Sequence, residues 1–217
     1  MPYKAVIFDL DGTLADTLDD IASAMNRVLQ KRRYPVHPHQ DYKYMIGRGL
    51  ENLVTFALPE TERVSPVMES CLDDLKEDYG RNCLVNTKLY AGIETLLSAL
   101  YGMHIKTSVF SNKAEHLTQK IMNALLPGYP FEIIIGARQG LPKKPDPAGA
   151  LLISERTGIS PAETIYLGDS DVDMITANSA GMVAVGALWG FRTEAELQSN
   201  GARSVLKYPY ELINMYF

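Results

Sequence analysis

Cysteine is scarce in this chain, which has only Cys71 and Cys83 among its 217 residues. Two cysteines cannot form the multi-bridge framework that stabilises small secreted domains. No histidine stands close to either one, and their spacing does not match that of a zinc site. The two thiols could pair with each other, but we expect them to be reduced and buried, as is typical of a chain with a full hydrophobic core in a reducing compartment.

Long apolar runs and basic clusters are missing as well. No apolar run approaches the length of a membrane span, and residues 1–9 lack the longer apolar stretch and the small-residue cleavage site of a signal peptide. Lys and Arg total 21 against 26 Asp and Glu, a formal net charge of −5, which is unsuited to neutralising the phosphates of a nucleic acid. We therefore expect a cytoplasmic location and no membrane or nucleic-acid partner. We also expect a monomer or homodimer, although composition does not decide between the two.

The chain does contain enough apolar material for a sizeable core, because 46% of its residues are hydrophobic and 22% are charged. Short β-type runs alternate with amphipathic helical stretches, which predicts an α/β fold with a Rossmann-like parallel sheet core flanked by helices. The predicted strands are 5–8, 105–110, 131–135, 164–167, 183–185 and 204–206. The predicted helices between them are 93–101, 114–126, 147–157, 171–180 and 193–199.

One region interrupts this alternation of strands and helices. Between about Asp16 and Asn86 the apolar residues recur at helical spacing and no convincing strand is present. A connection of that length is too long for an ordinary crossover between strands. We therefore predict two domains, a discontinuous α/β hydrolase core at 1–16 and 86–217 and an inserted all-helical cap domain at 17–85.

Polar side chains lie beyond the ends of four of the predicted strands. Ligands of open parallel sheets bind at the carboxyl ends of the strands, near the point where the strand order reverses, so we expect these side chains to converge on one crevice. In chain order they are Asp9, Asp11, Ser111, Asn112, Lys113, Lys143, Lys144, Asp169, Ser170, Asp171 and Asp173.

The carboxylates in this set indicate a cation site. Asp9 and Asp11 are two residues apart and therefore project to the same side, and Gly12 permits a sharp turn after them. A helix-capping cluster is the alternative for a lone pair of this kind, but Asp169 at a second strand end favours a shared site. Converging carboxylates repel one another unless a hard divalent ion lies among them, and the lack of histidine in these strand-end motifs favours Mg²⁺ over zinc.

Residues between the two acidic strand ends indicate an anion site. The Ser111 hydroxyl and backbone amides after the strand can hold phosphate oxygens, and Lys144 supplies a compensating positive charge. Asp171, in contrast, is accounted for as an acidic residue at a helix N-terminus, where the helix dipole stabilises negative charge.

Four motifs in the chain resemble those of the haloacid dehalogenase superfamily. The segment 9–17, Asp-Leu-Asp-Gly-Thr-Leu-Ala-Asp-Thr, is similar to the first motif. Ser-Asn-Lys at 111–113, Lys-Pro at 144–145 and Gly-Asp-Ser-Asp-Val-Asp at 168–173 resemble the second, third and fourth motifs in order and spacing. The resemblance covers essentially the whole chain and implies an enzyme, because members with a cap inserted after the first motif are mostly phosphatases of small phosphorylated substrates.

The resemblance also implies a role for each matched residue. Asp9 would be the nucleophile that forms an aspartyl-phosphate, and Asp11 would be the general acid and base. Lys144 would offset charge on the phosphoryl group; the adjacent Lys143 is a less suitable alternative, because the family lysine stands directly before the proline. The phosphate ligands would be Gly12, Ser111, Asn112 and Lys144. The Mg²⁺ ligands would be Asp9, the backbone carbonyl of Asp11 and Asp169, with Asp173 in support.

Two further segments resemble those of phosphoglycolate phosphatases and their close relatives. These are Ile-Gly-Arg-Gly-Leu at 46–50 and Gly-Phe-Arg-Thr-Glu-Ala-Glu-Leu at 190–197. Gly47 and Gly49 would let a cap loop close over the site, so that Arg48 meets an anionic part of the substrate; an ordinary turn with a solvent-facing arginine is the alternative. A pyrophosphatase, a nucleotidase, or a sugar-phosphate phosphatase or mutase of the same fold stays open. An inactive metal-binding regulatory module is the non-enzymatic alternative.

Overall fold

The computed structural model describes residues 3–217. Residues 1 and 2, part of the segment that we expect not to be a signal peptide, lie outside the described residues. The strands are β1 (Ala5–Phe8), β2 (Ala15–Asp16), β3 (Lys88–Leu89), β4 (Lys106–Ala114), β5 (Ile133–Ala137), β6 (Thr164–Gly168), β7 (Val183–Ala187) and β8 (Ser204–Leu206).

Nine α-helices are found in the described part of the chain. They are α1 (Leu18–Lys31), α2 (Leu50–Ala57), α3 (Ser65–Asn82), α4 (Ile93–Gly102), α5 (Glu115–Leu125), α6 (Ala148–Thr157), α7 (Asp171–Ser179), α8 (Glu194–Ser199) and α9 (Glu211–Tyr216). Short 3-10 helices occur at His39–Tyr44, Glu60–Glu62 and Pro161–Glu163. Among these helices none has the length and apolar character needed to cross a membrane.

The chain divides into two compact units, one of which is an α/β unit formed by Met1–Asp16 and Leu89–Phe217. It is built on a six-stranded sheet with the order β5-β4-β1-β6-β7-β8, in which all the pairings are parallel. β1 lies in the middle between β4 and β6, and the strand order reverses there. The predicted α/β fold is thereby confirmed, and the carboxyl ends of β1, β4 and β6 are neighbours.

The central strands are buried on both faces, as a parallel sheet covered by helices requires. All four side chains of β1 are buried, and so are all five residues of β6. Gly149 in α6 allows a close approach to the sheet, since a Cβ there would lie 2.3 Å from the Phe110 ring. One apolar cluster joins the sheet to α6 and α7 and includes Ile7, Phe110, Ile135, Ala150, Ile153, Tyr166, Met174 and Ala177.

Several strand boundaries differ from those predicted, and two of the differences have a clear local cause. β4 continues to Ala114 instead of ending at Phe110, because residues 111–113 stay extended while the register with β5 shifts between Phe110 and Ala114. β5 begins at Ile133 instead of Phe131, because the Phe131 N–H closes a tight turn on the Tyr129 carbonyl at 2.9 Å. The short helix α9 was not predicted.

The second unit, Thr17–Lys88, is helical. Its longest helices, α1 and α3, pack against each other and carry ion pairs on their exposed sides. The Arg27 Nε donates to Asp78 Oδ2 at 2.9 Å, and Lys31 Nζ lies 3.0 Å from Asp74 Oδ1. Cys71 and Cys83 are buried in this unit and are not joined by a disulfide, as expected.

Asp20 ties the end of the helical unit to α1. Its carboxylate accepts backbone N–H bonds from Val85 (3.0 Å), Asn86 (2.9 Å) and Thr87 (2.9 Å), and a further bond from the Thr87 hydroxyl (2.8 Å). These bonds hold Asn86 and Thr87 in the helical unit. The division between the two units therefore lies after Lys88, three residues later than the predicted boundary after Val85.

We predict that Asp20→Asn lowers the free energy of unfolding by about 2 kcal/mol at pH 7, because it weakens hydrogen bonds to a charged acceptor. Burial raises the pKa of Asp20, but the bonds from Asn86 and Thr87 outweigh it and bring the pKa below 3.8. A carboxylate whose pKa is lowered by folding stabilises the protein at pH values above its pKa in the unfolded chain. This stabilisation is lost as the pH falls through its pKa in the folded protein. The difference between the two proteins should therefore shrink below about pH 4.

The measurement is urea unfolding followed by circular dichroism at several pH values. Asp19→Asn is the matched control, because Asp19 is the adjacent exposed carboxylate and its ion pair with His39 Nδ1, at 2.8 Å, lies at the surface. Equal stabilities of the two variants at pH 7 would contradict the role given to Asp20.

Candidate active site

Lys144 occupies the centre of the polar cluster at the carboxyl edge of the sheet. Its Nζ lies 2.7 Å from Asp9 Oδ1 and 2.6 Å from Asp173 Oδ1, and all three side chains are buried. The ammonium group also lies 5.7 Å from the Phe110 ring centre and 5.8 Å from that of Tyr166. The structure thus brings together side chains that follow β1, β5 and β6.

Asn112 holds the backbone that carries Lys144. Its side-chain oxygen accepts the Lys144 N–H at 2.8 Å, and its side-chain nitrogen donates to the Lys144 carbonyl at 3.0 Å. The Lys144–Pro145 peptide bond is cis. The side-chain amide of Asn112 therefore positions Lys144. The backbone of Asn112 is the part of this residue that is suited to the predicted phosphate contact. The exposed Lys143 lies outside this buried cluster.

The carboxylates of Asp9, Asp169 and Asp173 form a buried group, with one oxygen from each lying within 4.8 Å of the others. Burial raises the pKa of Asp9 to about 7, although Lys144 acts in the opposite direction. Burial and the neighbouring Asp173 and Asp9 raise the pKa of Asp169 well above its ordinary value. Burial opposes the charge on Lys144, yet Asp173 and Asp9 raise its pKa and keep it protonated.

Asp173 owes its position to the start of α7. Ser170 caps this helix, and its backbone N–H donates to Asp173 Oδ2 at 3.1 Å while its hydroxyl donates to the same oxygen. The other Asp173 oxygen faces Lys144, so both oxygens have protein partners. Asp171 lies in the first turn of α7 and is not part of the acidic group, in agreement with its interpretation as an N-terminal helix residue.

Asp11 faces Lys113, a lysine at a predicted strand end to which the sequence analysis assigned no role. Lys113 Nζ lies 2.9 Å from Asp11 Oδ1, and the lysine is buried. Lys113 follows Ser111 in the extended end of β4, and its backbone N–H donates to the Ser111 hydroxyl oxygen at 3.2 Å. The signal was its place in the same strand end as Ser111 and Asn112.

Asp169 packs against the turn that follows β1. Its two oxygens accept the Thr13 hydroxyl at 3.2 Å and the Phe191 backbone N–H at 2.8 Å. Gly12 has a φ of +88°, and a Cβ there would lie 2.2 Å from Asp169 Oδ2. Gly12 is therefore required both by the backbone conformation and by the space that the carboxylate occupies.

The remaining predicted residues lie in the helical unit. Gly47 and Arg48 lie just before Gly49, the N-cap of α2, and Gly47 has a φ of +115° that favours glycine. The contact of Gly47 and Arg48 with substrate stays a prediction.

The acidic group fits a hard divalent cation. Three buried carboxylates outnumber the single ammonium of Lys144, and oxygen is the donor that Mg²⁺ prefers. Each oxygen of Asp169 has one protein donor, and a carboxylate oxygen has a second lone pair for a metal.

The fold and this cluster define a class of protein: an α/β protein whose chemistry is concentrated in carboxylates and lysines at the carboxyl edge of a parallel sheet. The model of the haloacid dehalogenase-like hydrolases matches residues 6–187. The chain belongs to this family.

Relatives within the family carry a common name. A phosphoglycolate phosphatase of Aquifex aeolicus is 32% identical over 98% of this chain and 96% of its own length. One of Nitrosospira multiformis is 31% identical over 97% of this chain and 94% of its own length. The prediction of an enzyme, a phosphatase-like hydrolase of this family, is confirmed.

A solved structure has the same architecture. A Lactobacillus delbrueckii subsp. bulgaricus protein superposes with a TM-score of 0.92 and 28% identity, covering 98% of this chain and 97% of the other. The similarity spans both units of the chain, including the inserted helices.

We predict that Lys144→Met lowers the free energy of unfolding by about 3–5 kcal/mol at pH 7, because it leaves buried carboxylates without their cation. Lys143→Met is the matched control at the adjacent exposed position and should stay within about 0.5 kcal/mol of the unchanged protein. Urea unfolding without added metal measures both. Similar stabilities of the two variants would show that Lys144 does not balance the buried charge.

Proposed function

We propose that the protein is a Mg²⁺-dependent phosphatase that hydrolyses a small phosphate monoester of the phosphoglycolate type through an aspartyl-phosphate. The observation that carries the proposal is the buried position of Asp9, beside Lys144 and within the acidic group, with Asp11 two residues further on. The two buried thiols fit a reducing compartment, and we include a cytoplasmic location in the proposal.

In the first half-reaction a carboxylate oxygen of Asp9 attacks phosphorus, and the bond from phosphorus to the leaving oxygen breaks. Asp11 gives its proton to that leaving oxygen, so that the product departs as an alcohol. Lys144 is placed to offset negative charge beside Asp9, and Ser111 and the backbone of residues 12 and 112 are the candidate donors to the phosphoryl oxygens.

In the second half-reaction water attacks the phosphorus of the aspartyl-phosphate. Asp11, now a carboxylate, takes a proton from this water, and the bond between phosphorus and the Asp9 oxygen breaks. Inorganic phosphate leaves and the Asp9 carboxylate is restored, so each cycle consumes one water.

Mg²⁺ would be held by Asp9, Asp169 and the Asp11 carbonyl, and when bound it would stabilise charge on the phosphoryl group. Asp173 would support these ligands without binding the metal itself, because its two oxygens already accept hydrogen bonds from Ser170 and Lys144.

The substrate class is inferred from the names of the relatives and from Arg48. Phosphoglycolate carries a carboxylate besides its phosphate, and an arginine is well suited to bind such a second anion. The sequence Gly-Arg-Gly at 47–49 supports a loop that can adapt to the substrate.

We predict that Asp9→Asn lowers kcat by about three orders of magnitude or more, because an amide cannot replace the carboxylate nucleophile. Turnover of phosphoglycolate, a sugar phosphate, a nucleotide and pyrophosphate is measured for each protein. Asp171→Asn removes a carboxylate of the same motif that lies outside the acidic group, and it should keep normal activity. Normal activity in Asp9→Asn would remove the nucleophile assignment, and a clear preference for pyrophosphate or nucleotides would remove the substrate assignment.

We predict that Arg48→Ala raises KM for phosphoglycolate about tenfold, because it removes one charge-assisted contact, and leaves KM for the phosphate ester of a neutral alcohol nearly unchanged. Arg81→Ala, at an exposed arginine of the same helical unit, is the control. An equal rise in KM for both substrates contradicts recognition of a second anion by Arg48.

A further inference from the structure

The loop after β7 contacts the site from a strand end at which the sequence analysis placed no site residue. Trp189, the only tryptophan of the chain, donates from its indole Nε1 to the Thr13 carbonyl at 2.9 Å. The next residue but one, Phe191, gives its backbone N–H to Asp169. The loop itself is fixed to β8, because the Leu188 N–H donates to the Leu206 carbonyl at 2.9 Å.

Gly190, between these two contacts, lies directly against Asp169. A Cβ at this position would come within 2.3 Å of the Asp169 Cβ and 2.4 Å of the Gly12 carbonyl oxygen. Gly12 approaches the same carboxylate as closely. Both the turn after β1 and the loop after β7 therefore pack on Asp169 without intervening side chains.

These contacts form a closed set around one carboxylate. Trp189 holds the Thr13 backbone, the Thr13 hydroxyl donates to one oxygen of Asp169, and the Phe191 N–H donates to the other. Thr13 is fully buried, so the indole is the donor that satisfies its carbonyl in place of water. Partners of this kind set the orientation of a metal ligand, and their loss costs about 10–100-fold in affinity.

We propose that Trp189 is a positioning residue for the metal site, acting through Thr13 on the orientation of Asp169. The inference rests on the proposed Mg²⁺ site and adds to it a residue that touches neither metal nor substrate. Removal of the indole donor frees the Thr13 carbonyl, which loosens the turn and lets the Thr13 hydroxyl move away from Asp169.

The test is isothermal titration calorimetry of Mg²⁺ into the purified full-length chain, with no substrate present. Trp189→Phe, which keeps an aromatic ring but removes the N–H donor, should weaken Mg²⁺ binding about tenfold. Tyr208→Phe is the control, because it also removes a donor from a ring, at a side chain that is 70% exposed. Thermal unfolding of each variant verifies that it is folded at the titration temperature.

A double-mutant cycle tests the route through Thr13. Thr13→Val removes the hydroxyl donor at nearly constant volume, and combining it with Trp189→Phe should cost little more than either change alone. Unchanged affinity in Trp189→Phe, or fully additive losses in the double variant, would overturn the proposal while the metal site stands. Lack of Mg²⁺ binding by the unchanged chain would remove the metal site itself and the role of Trp189 with it.

Discussion

The site depends on one interaction, the ion pairing of the buried Lys144 ammonium group with Asp9 and Asp173. Asp9 and Asp173 lie at the ends of different segments, and burial of their charges in one place is unfavourable without a cation between them. The lysine in turn needs a fixed backbone, which Asn112 supplies from the end of β4. The geometry around the Asp9 carboxylate thus depends on segments at the ends of four strands of one parallel sheet.

Much of this arrangement follows from the order of residues along the chain. Parallel strands place their carboxyl ends at one edge, so apolar runs followed by Asp9, Ser111 and Asp169 were enough to predict the fold and the cluster. The pairing of Lys113 with Asp11 was not predicted, because a surface lysine and a site lysine look alike in a sequence. Trp189 was missed because its strand end carries an aromatic side chain and no carboxylate or lysine.

The boundaries of the helical unit show a different limit of sequence reasoning. Helical periodicity ends near Cys83, yet the unit extends to Lys88 because residues 85–87 bind a carboxylate about sixty-five positions earlier. A bond between Asp20 and Thr87 leaves no periodic trace in the sequence. Long-range side-chain to backbone bonds of this type are visible only once the fold brings the two segments together.

The presence of a single tryptophan has a practical consequence for how the unfolding of this protein can be followed in solution. Its intrinsic tryptophan emission arises from one indole at the carboxyl edge of the sheet in the α/β unit, whereas helices of both units contribute to the far-ultraviolet dichroism signal. The two optical signals therefore sample different parts of the chain without any label. Their coincidence or separation along a denaturant series distinguishes one cooperative transition from two.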